Sequence, residues 1–315
     1  MTTKIMITGG FGFIGTQLIK KLLASGEDIK LYIIDNLSTG SHSECLLNDV
    51  HFFLGDIRDE DSSKYIEEVA PDYLIHLAAQ KNVINSFGNT VDDTDINIIG
   101  TLKIMDACRN LPNFRNFIFA SSASVYGDNK DIPIKEDAIK MPISPYGKSK
   151  MLIEECLNLY QELYQFPFVT LRFANVYGIK STGGKDVISI FYDKLAEGTA
   201  PCIFGDGHQT RDYVYVDDIV CAINLAMNVN NNESFNIATN KKTTVHQVLN
   251  YLNKIMGTHI EPEMSSGRLC EIQDSLLSNE KFLFKTGWSP KYNLIEGITQ
   301  MHKLKIDLVK KDVFE

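Results

Sequence analysis

The run Lys4-Ile5-Met6-Ile7-Thr8-Gly9-Gly10-Phe11-Gly12-Phe13-Ile14-Gly15 decides how this chain folds. A short apolar stretch ends in glycines, and Ile14, Leu18, Ile19, Leu22 and Leu23 then recur at helical spacing up to Gly26, so the segment reads strand, turn, helix. Gly9, Gly12 and Gly15 allow a tight turn and close packing of helix on strand. They also let the backbone N–H groups around Phe11, Phe13 and Ile14 approach a pyrophosphate at the helix N-terminus. A glycine-rich turn also arises for structural reasons alone, so its surroundings have to decide.

Those surroundings repeat the pattern. Apolar runs at Leu31–Asp35, Val50–Leu54, Tyr73–His76, Phe117–Ser121 and Phe168–Phe173 alternate with helical periodicity at Ser62–Val69 and Ile98–Cys108. Parallel strands need crossover connections, so this alternation predicts an α/β fold with a doubly wound parallel sheet of the Rossmann type. Asp35 lies about 20 residues beyond Gly15 at a strand end, where a carboxylate accepts both adenosine ribose hydroxyls and repels a 2′-phosphate, which favours NAD over NADP. Asp35 with Asn36 also fits a plain strand-end turn, and Asp56, before Ile57, fits either a turn or an adenine contact.

Beyond about residue 175 the rhythm shortens: a helix at Val187–Glu197, a strand at Pro201–Phe204, and Tyr213–Val216 feeding a helix capped by Asp217-Asp218, while Ser234–Ala238 can return to the main sheet. The expectation is a nucleotide-binding domain over residues 1–175, with a return near 212–240, and a smaller substrate-binding lobe over 176–315. With ~150 residues per domain, 315 residues accommodate both.

Composition narrows the function classes. Lys and Arg number 31 against 40 Asp and Glu, a net charge of −9, so no basic footprint points to nucleic acid or an anionic membrane surface. No window approaches the ~20 apolar residues of a membrane span, and the amino terminus leads into a strand, so a cytoplasmic protein is expected. Cysteines at 45, 108, 156, 202, 221 and 270 form no C-x-x-C pair and are read as reduced structural thiols, with no metal site.

Two further clusters can carry chemistry. In Ser144-Pro145-Tyr146-Gly147-Lys148-Ser149-Lys150, serine suits an N-cap and proline the first helical position, which sets Tyr146 and Lys150 one turn apart on one face. An ammonium beside a phenol favours phenolate and makes tyrosine a usable base, although a lone Tyr-x-x-x-Lys equally describes a solvated helix face. In Ala120-Ser121-Ser122-Ala123-Ser124-Val125-Tyr126-Gly127, the hydroxyls of Ser122 and Ser124 follow a strand end, where doubly wound sheets bind ligands.

The glycine turn, the strand-end serines and Tyr146/Lys150, in this order, resemble the extended short-chain dehydrogenase/reductase family, in its sugar-nucleotide epimerase/dehydratase branch. The similarity continues through His76-Leu77-Ala78-Ala79, Asn97-Ile98-Ile99-Gly100-Thr101, Leu171–Gly178 and Phe204–Asp218, nearly the whole chain. The resemblance implies NAD as cofactor, lined by Gly9, Phe11, Gly12, Phe13, Ile14, Gly15, Asp35, Asn36, Asp56, Ile57, Leu77, Ala78, Ala79, Asn97 and Lys150. It implies Tyr146 as the base at the sugar 4-hydroxyl, Lys150 as the holder of the nicotinamide ribose, and Ser122 as the partner of the reacting oxygen. A nucleotide-diphosphate sugar would meet Lys81, Ser122, Ser124, Tyr146, Asn175, Arg211, Arg268, Glu271 and Ser275, with the two arginines on the diphosphate. A structural salt bridge is the competing use of each arginine.

Similar 4,6-dehydratases place Asp-Glu where this chain has Ala123-Ser124, and similar decarboxylases carry Glu at Ser124, so the resemblance is strongest to UDP-glucose/UDP-galactose 4-epimerases and their N-acetylhexosamine relatives. In that reaction a transient 4-keto sugar takes its hydride back on the other face and NAD is regenerated. Another NAD-dependent sugar-nucleotide enzyme, such as a 4-keto reductase, decarboxylase or different epimerase, is the alternative, and a non-catalytic nucleotide-binding regulator is a more distant one. Arg268-Leu269-Cys270-Glu271 departs from the family's Arg-x-Gly-Asp. Ser275 stands where hexose-only relatives carry a bulky aromatic, which implies room for an N-acetyl group. Relatives commonly form homodimers through two helices per subunit. The matching segments carry Ile98, Leu102, Met105, Met151, Ile153 and Leu157, a stripe that equally suits a core.

Overall fold

The computed structural model describes residues 2–40, 48–179, 186–229, 232–267 and 271–314, with side chains as far as 308. The chain begins β1 (Thr3–Thr8), α1 (Phe13–Leu23), β2 (Ile29–Asp35), β3 (His51–Leu54), α2 (Glu60–Val69), β4 (Tyr73–His76), then short helices α3 (Val83–Gly88) and α4 (Thr90–Thr94). A π-helical turn, Asp95–Gly100, runs into α5 (Thr101–Cys108); β5 (Asn116–Ser122), α6 (Pro145–Tyr164) and β6 (Phe168–Phe173) follow. The remainder is β7 (Asn175–Tyr177), α7 (Val187–Ala196), β8 (Cys202–Phe204), β9 (Thr210–Arg211), β10 (Tyr213–Tyr215), α8 (Val216–Ala226), β11 (Glu233–Ile237), β12 (Thr243–Thr244), α9 (Val245–Met256), β13 (Glu263–Ser265), α10 (Glu280–Thr286) and α11 (Leu294–Phe314).

Seven strands form one parallel sheet in the order β11-β6-β5-β4-β1-β2-β3, so strand order reverses between β1 and β4. Ligand crevices in doubly wound sheets open at that reversal, outside the carboxyl ends of the strands. Both faces are covered, which is why β6 is buried along its whole length. Leu18, Ile19 and Leu22 of α1 pack with Ile219, Val220 and Ile223 of α8 on one face. Ile66 of α2, Ile104 and Met105 of α5, and Ile153 and Leu157 of α6 cover the other.

The return strand expected at Ser234–Ala238 is β11, paired along β6 from Glu233↔Val169 to Ile237↔Phe173. The smaller pairs β7/β10, β9/β12 and β8/β13 come from the C-terminal half, with β7 starting just beyond the carboxyl end of β6. One expectation is corrected. Asp217 and Asp218 do not cap α8: Tyr215 is the N-cap with no side-chain bond, and the Asp218 carboxylate accepts the N–H groups of Lys291 and Tyr292 instead. In the stripe matched to the dimer helices, Met105, Ile153 and Leu157 are fully buried and Ile98, Leu102 and Met151 pack against the core. Among the described cysteines, Cys108, Cys156, Cys202 and Cys221 are free thiols, with Cys202 exposed. No described helix is long and apolar enough to cross a membrane.

Candidate active site

At Gly9 and Gly15 the glycine turn leaves no room for a side chain. Gly9 has φ +69°, and a Cβ there would stand 2.7 Å from Ala78 N, so the turn after β1 lies against the turn after β4. A Cβ on Gly15 would meet Gly10 O at 2.5 Å, which sets how closely α1 packs on the turn. Gly12 is the N-cap of α1 and brings no capping side chain, the arrangement that suits an incoming anion. Asp35 is 8% exposed at the end of β2, its Oδ2 accepting from Phe11 N at 2.9 Å and its Oδ1 from Leu37 N at 2.8 Å. Each oxygen keeps a second lone pair. A narrow glycine cradle, an uncapped helix start and a carboxylate at the neighbouring strand end fit a dinucleotide.

Asp56 is occupied by side chains of its own loop and of the loop after β2. Arg58 donates from Nε and Nη2 at 2.9 Å and Asn36 Nδ2 at 2.7 Å, and the Arg58 hydrogen bond, the largest influence, brings this carboxyl down to about 2. These are the contacts of a turn residue, one of the two roles the sequence allows. Ile57 is buried against the backbone position of Gly100.

The second cluster assembles as its spacing implies. Ser144 caps α6 by accepting from Gly147 N at 3.1 Å, and Pro145 opens the helix. One turn separates Tyr146 from Lys150, whose Nζ lies 5.9 Å from the tyrosine ring centroid and donates to Ala120 O at 2.9 Å. Ser122, the last residue of β5, is near enough to the Tyr146 phenol to influence its ionisation. Burial pushes that phenol up to about 12, the Ser122 hydroxyl pulls it down, and the Asp93 carboxylate adds to the rise. Burial brings Lys150 down to about 8, opposed by Asp93 and Glu154. Ser124 Oγ is buried with no hydrogen-bond partner among the described residues, so it is an acceptor and donor awaiting a polar group.

Asn97 is only 2% exposed and spends its side chain on the protein. Its Oδ1 accepts from Gln80 N at 2.9 Å, and its Nδ2 reaches Gln80 O, Asp93 Oδ1 and Ser149 Oγ. The π turn rotates Asn97 inward, so it ties the segment after Leu77-Ala78-Ala79 to α6. His76 is fully buried between two threonines. Thr101 Oγ1 gives its hydrogen to Asn97 O, so it accepts from His76 Nε2–H at 2.9 Å, and Thr8 donates to Nδ1 at 2.8 Å. Burial, with the nearby Lys150 charge, takes His76 down to about 3, which removes it from acid–base work.

Sequence reasoning missed Glu154, Arg172 and Asp93. Glu154, one turn after Lys150, accepts from Ser121 Oγ at 2.6 Å and from Arg172 Nε and Nη2 at 3.0 and 2.8 Å. Arg172 Nη1 continues to Tyr126 OH at 2.6 Å. The i,i+4 step from Lys150 to Glu154 was the available signal, and a glutamate on a helix is ordinarily solvated.

On the substrate side, Thr210 N donates to Gln273 O, Ser275 N donates to Thr210 O, and Gln209 Nε2 reaches Glu271 Oε1 at 3.3 Å. These bonds bring Arg211, Glu271 and Ser275 together. Burial lowers the pKa of Arg211 while Glu271, Asp274 and Asp128 oppose the shift. Asn175 is exposed, its N–H bonded to Asp212 O, and Lys81 is exposed. Arg268 lies outside the described residues.

Residues 5–238 match the model of the NAD dependent epimerase/dehydratase family. A UDP-glucose 4-epimerase of Mycolicibacterium smegmatis is 34% identical over 305 residues, covering 94% of this chain and 96% of that protein. The crystal structure of UDP-glucose 4-epimerase from Thermotoga maritima with UDP-glucose superposes with a TM-score of 0.92 at 36% identity, covering 98% of this chain and 100% of that one. The UDP-N-acetylglucosamine 4-epimerase of Methanobrevibacter ruminantium, in complex with UDP-N-acetylmuramic acid, gives 0.89 at 31% identity, covering 98% and 100%. A cradle shaped for a dinucleotide, a serine-tyrosine-lysine cluster beside it and a match along most of the chain lead to one conclusion: this chain belongs to the NAD dependent epimerase/dehydratase family.

Proposed function

We propose that this protein is an NAD-dependent 4-epimerase of nucleotide-diphosphate sugars, interconverting UDP-glucose and UDP-galactose or the corresponding N-acetylhexosamines. The observation that carries the reading is Tyr146 set one helical turn from the buried Lys150, whose ammonium is tied to Ala120 two residues before Ser122 at the carboxyl end of β5. NAD would be held by the Gly9–Gly15 turn, Asp35 and Lys150, and when bound it supplies the acceptor and donor of hydride at sugar C4. Tyr146 takes the proton of the 4-hydroxyl and returns it to the 4-keto oxygen. Ser122 donates to that oxygen, and the Lys150 ammonium favours the phenolate against the burial that otherwise holds the phenol neutral. Since one carbon is oxidised and re-reduced, the residues at 122, 146 and 150 finish each cycle in their starting protonation states.

Arg211 and Arg268 are assigned to the diphosphate, where planar bidentate donors suit two phosphates, and Asn175, Lys81, Ser124, Glu271 and Ser275 to the remainder of the sugar nucleotide. Ser275 is small and adjoins Arg211 through Thr210, which supports acceptance of an N-acetyl group. Residues 1–175 with the β11 return are the NAD-binding part and the rest mainly the sugar-nucleotide lobe. We place the protein in the cytoplasm, in keeping with free thiols at the described cysteines. A homodimer through the face of α4 and α6 is supported by exposed Val91, Leu152, Leu159 and Leu163, different residues from the buried stripe.

Incubation with UDP-glucose, UDP-galactose and both UDP-N-acetylhexosamines without added cofactor, followed by NMR, tests the reading. The expected result is interconversion of C4 epimers with no accumulation of reduced cofactor. Loss of a water or carbon dioxide, or a net redox product, overturns it.

A further inference from the structure

Asp93 of α4 is 1% exposed. Its Oδ1 accepts from Gln80 Nε2 at 2.9 Å and from Asn97 Nδ2 at 3.1 Å, while its Oδ2 is buried with no hydrogen-bond partner among the described residues. An interior carboxylate oxygen without a donor is costly to folding, so its presence points to a use for the charge. From Asp93 the hydrogen bonds run to α6: Asn97 Nδ2 reaches Ser149 Oγ at 3.3 Å, and Ser149 Oγ donates to Tyr146 O at 2.9 Å.

We propose that Asp93 is an electrostatic positioning residue of the active site, its buried carboxylate keeping Lys150 as an ammonium and its hydrogen bonds through Asn97 and Ser149 fixing the turn that carries Tyr146 and Lys150. This rests on the 4-epimerase reading. The other groups facing Lys150 are accounted for. Glu154 on α6 is committed to Arg172, Lys140 and Ser121, His76 on β4 is neutral, and Tyr146 is the phenol it assists. Asp93 acts on both reacting groups with the same sign: its negative charge raises the pKa of Lys150 and that of Tyr146.

Asp93→Asn keeps the shape and removes the charge, so both titrations should move together. The kcat/KM profile of the NAD-loaded enzyme is expected to shift to lower pH on both limbs, by about one pH unit. Tyrosinate absorbance, corrected with Tyr146→Phe, should move the same way, and Asp93→Glu should restore the profile. A variant slower at every pH with unmoved limbs overturns the proposal, since a merely structural defect behaves so. If the Asn variant does not fold, carbon-13 aspartate labelling of the wild-type protein decides. The Asp93 carboxylate signal should shift as Lys150 loses its proton and lose that shift in Lys150→Met; a silent wild-type signal overturns the proposal. Wild-type protein inactive on every UDP-sugar would defeat the 4-epimerase reading instead, and the absorbance and labelling titrations would still judge Asp93.

Discussion

Lys150 docks its ammonium on the main-chain carbonyl of Ala120, 2.9 Å away across the gap between α6 and β5. The helix and the strand that present Tyr146 and Ser122 are therefore joined by the same cation that the proposed reaction uses. The site is held in register by a charge that folding has to bury.

That burial has a stability consequence. Lys150 falls from an ordinary 10.5 to about 8 in the folded protein, so between these values the unfolded chain binds more protons and stability rises with pH. Below about 8 the folded state carries the full cost of the buried charge. Lys150→Met should lose turnover yet unfold at no lower urea concentration at pH 7, and should lack the wild-type gain of roughly 1–3 kcal/mol between pH 8 and 10. Urea titrations across that range check both statements.

Gly9→Ala forces a left-handed backbone and a Cβ 2.7 Å from Ala78 N, whereas Gly26→Ala forces only the backbone, with nothing within 4 Å. The expected costs are about 2–3 kcal/mol and about 1 kcal/mol. NAD retention should be lost in the first variant alone, measured by thermal unfolding and by cofactor released on denaturation.

The Glu154–Arg172 pair is 2% and 5% exposed at its side chains, with a 2.8 Å contact. Removing one partner leaves the other charged and buried, so Arg172→Met should cost roughly 3–5 kcal/mol. The double variant Glu154→Met/Arg172→Met should recover much of that loss in equilibrium unfolding.

Ser122→Ala removes the hydroxyl that lowers the Tyr146 pKa. The acid limb of kcat should therefore move to higher pH, with about a 10- to 100-fold loss at neutral pH. Substrate affinity should change far less, as a kcat and KM measurement on UDP-glucose would record.

Local features were legible before any coordinates. The glycine turn, the Ser144-Pro145 helix start and the return of residues 234–238 to the sheet all follow from spacing, capping and apolar runs. What escaped depends on partners distant in sequence. Asp218 is claimed by Lys291 and Tyr292 in place of its own helix. Glu154 looks like a surface residue until Arg172 of β6 is set beside it. Asp93 lies in a run of acids, Asp92-Asp93-Thr94-Asp95, that reads as a solvated face until Gln80, from the loop after β4, is set beside it.

The central claim is that the Tyr146 phenol is the base in a reversible oxidation of sugar C4. Tyr146→Phe should bind NAD and the UDP-sugar as the wild-type protein does while epimer interconversion, followed by NMR, falls by roughly 10²–10⁴-fold. Turnover at the wild-type rate with phenylalanine in place would contradict the account.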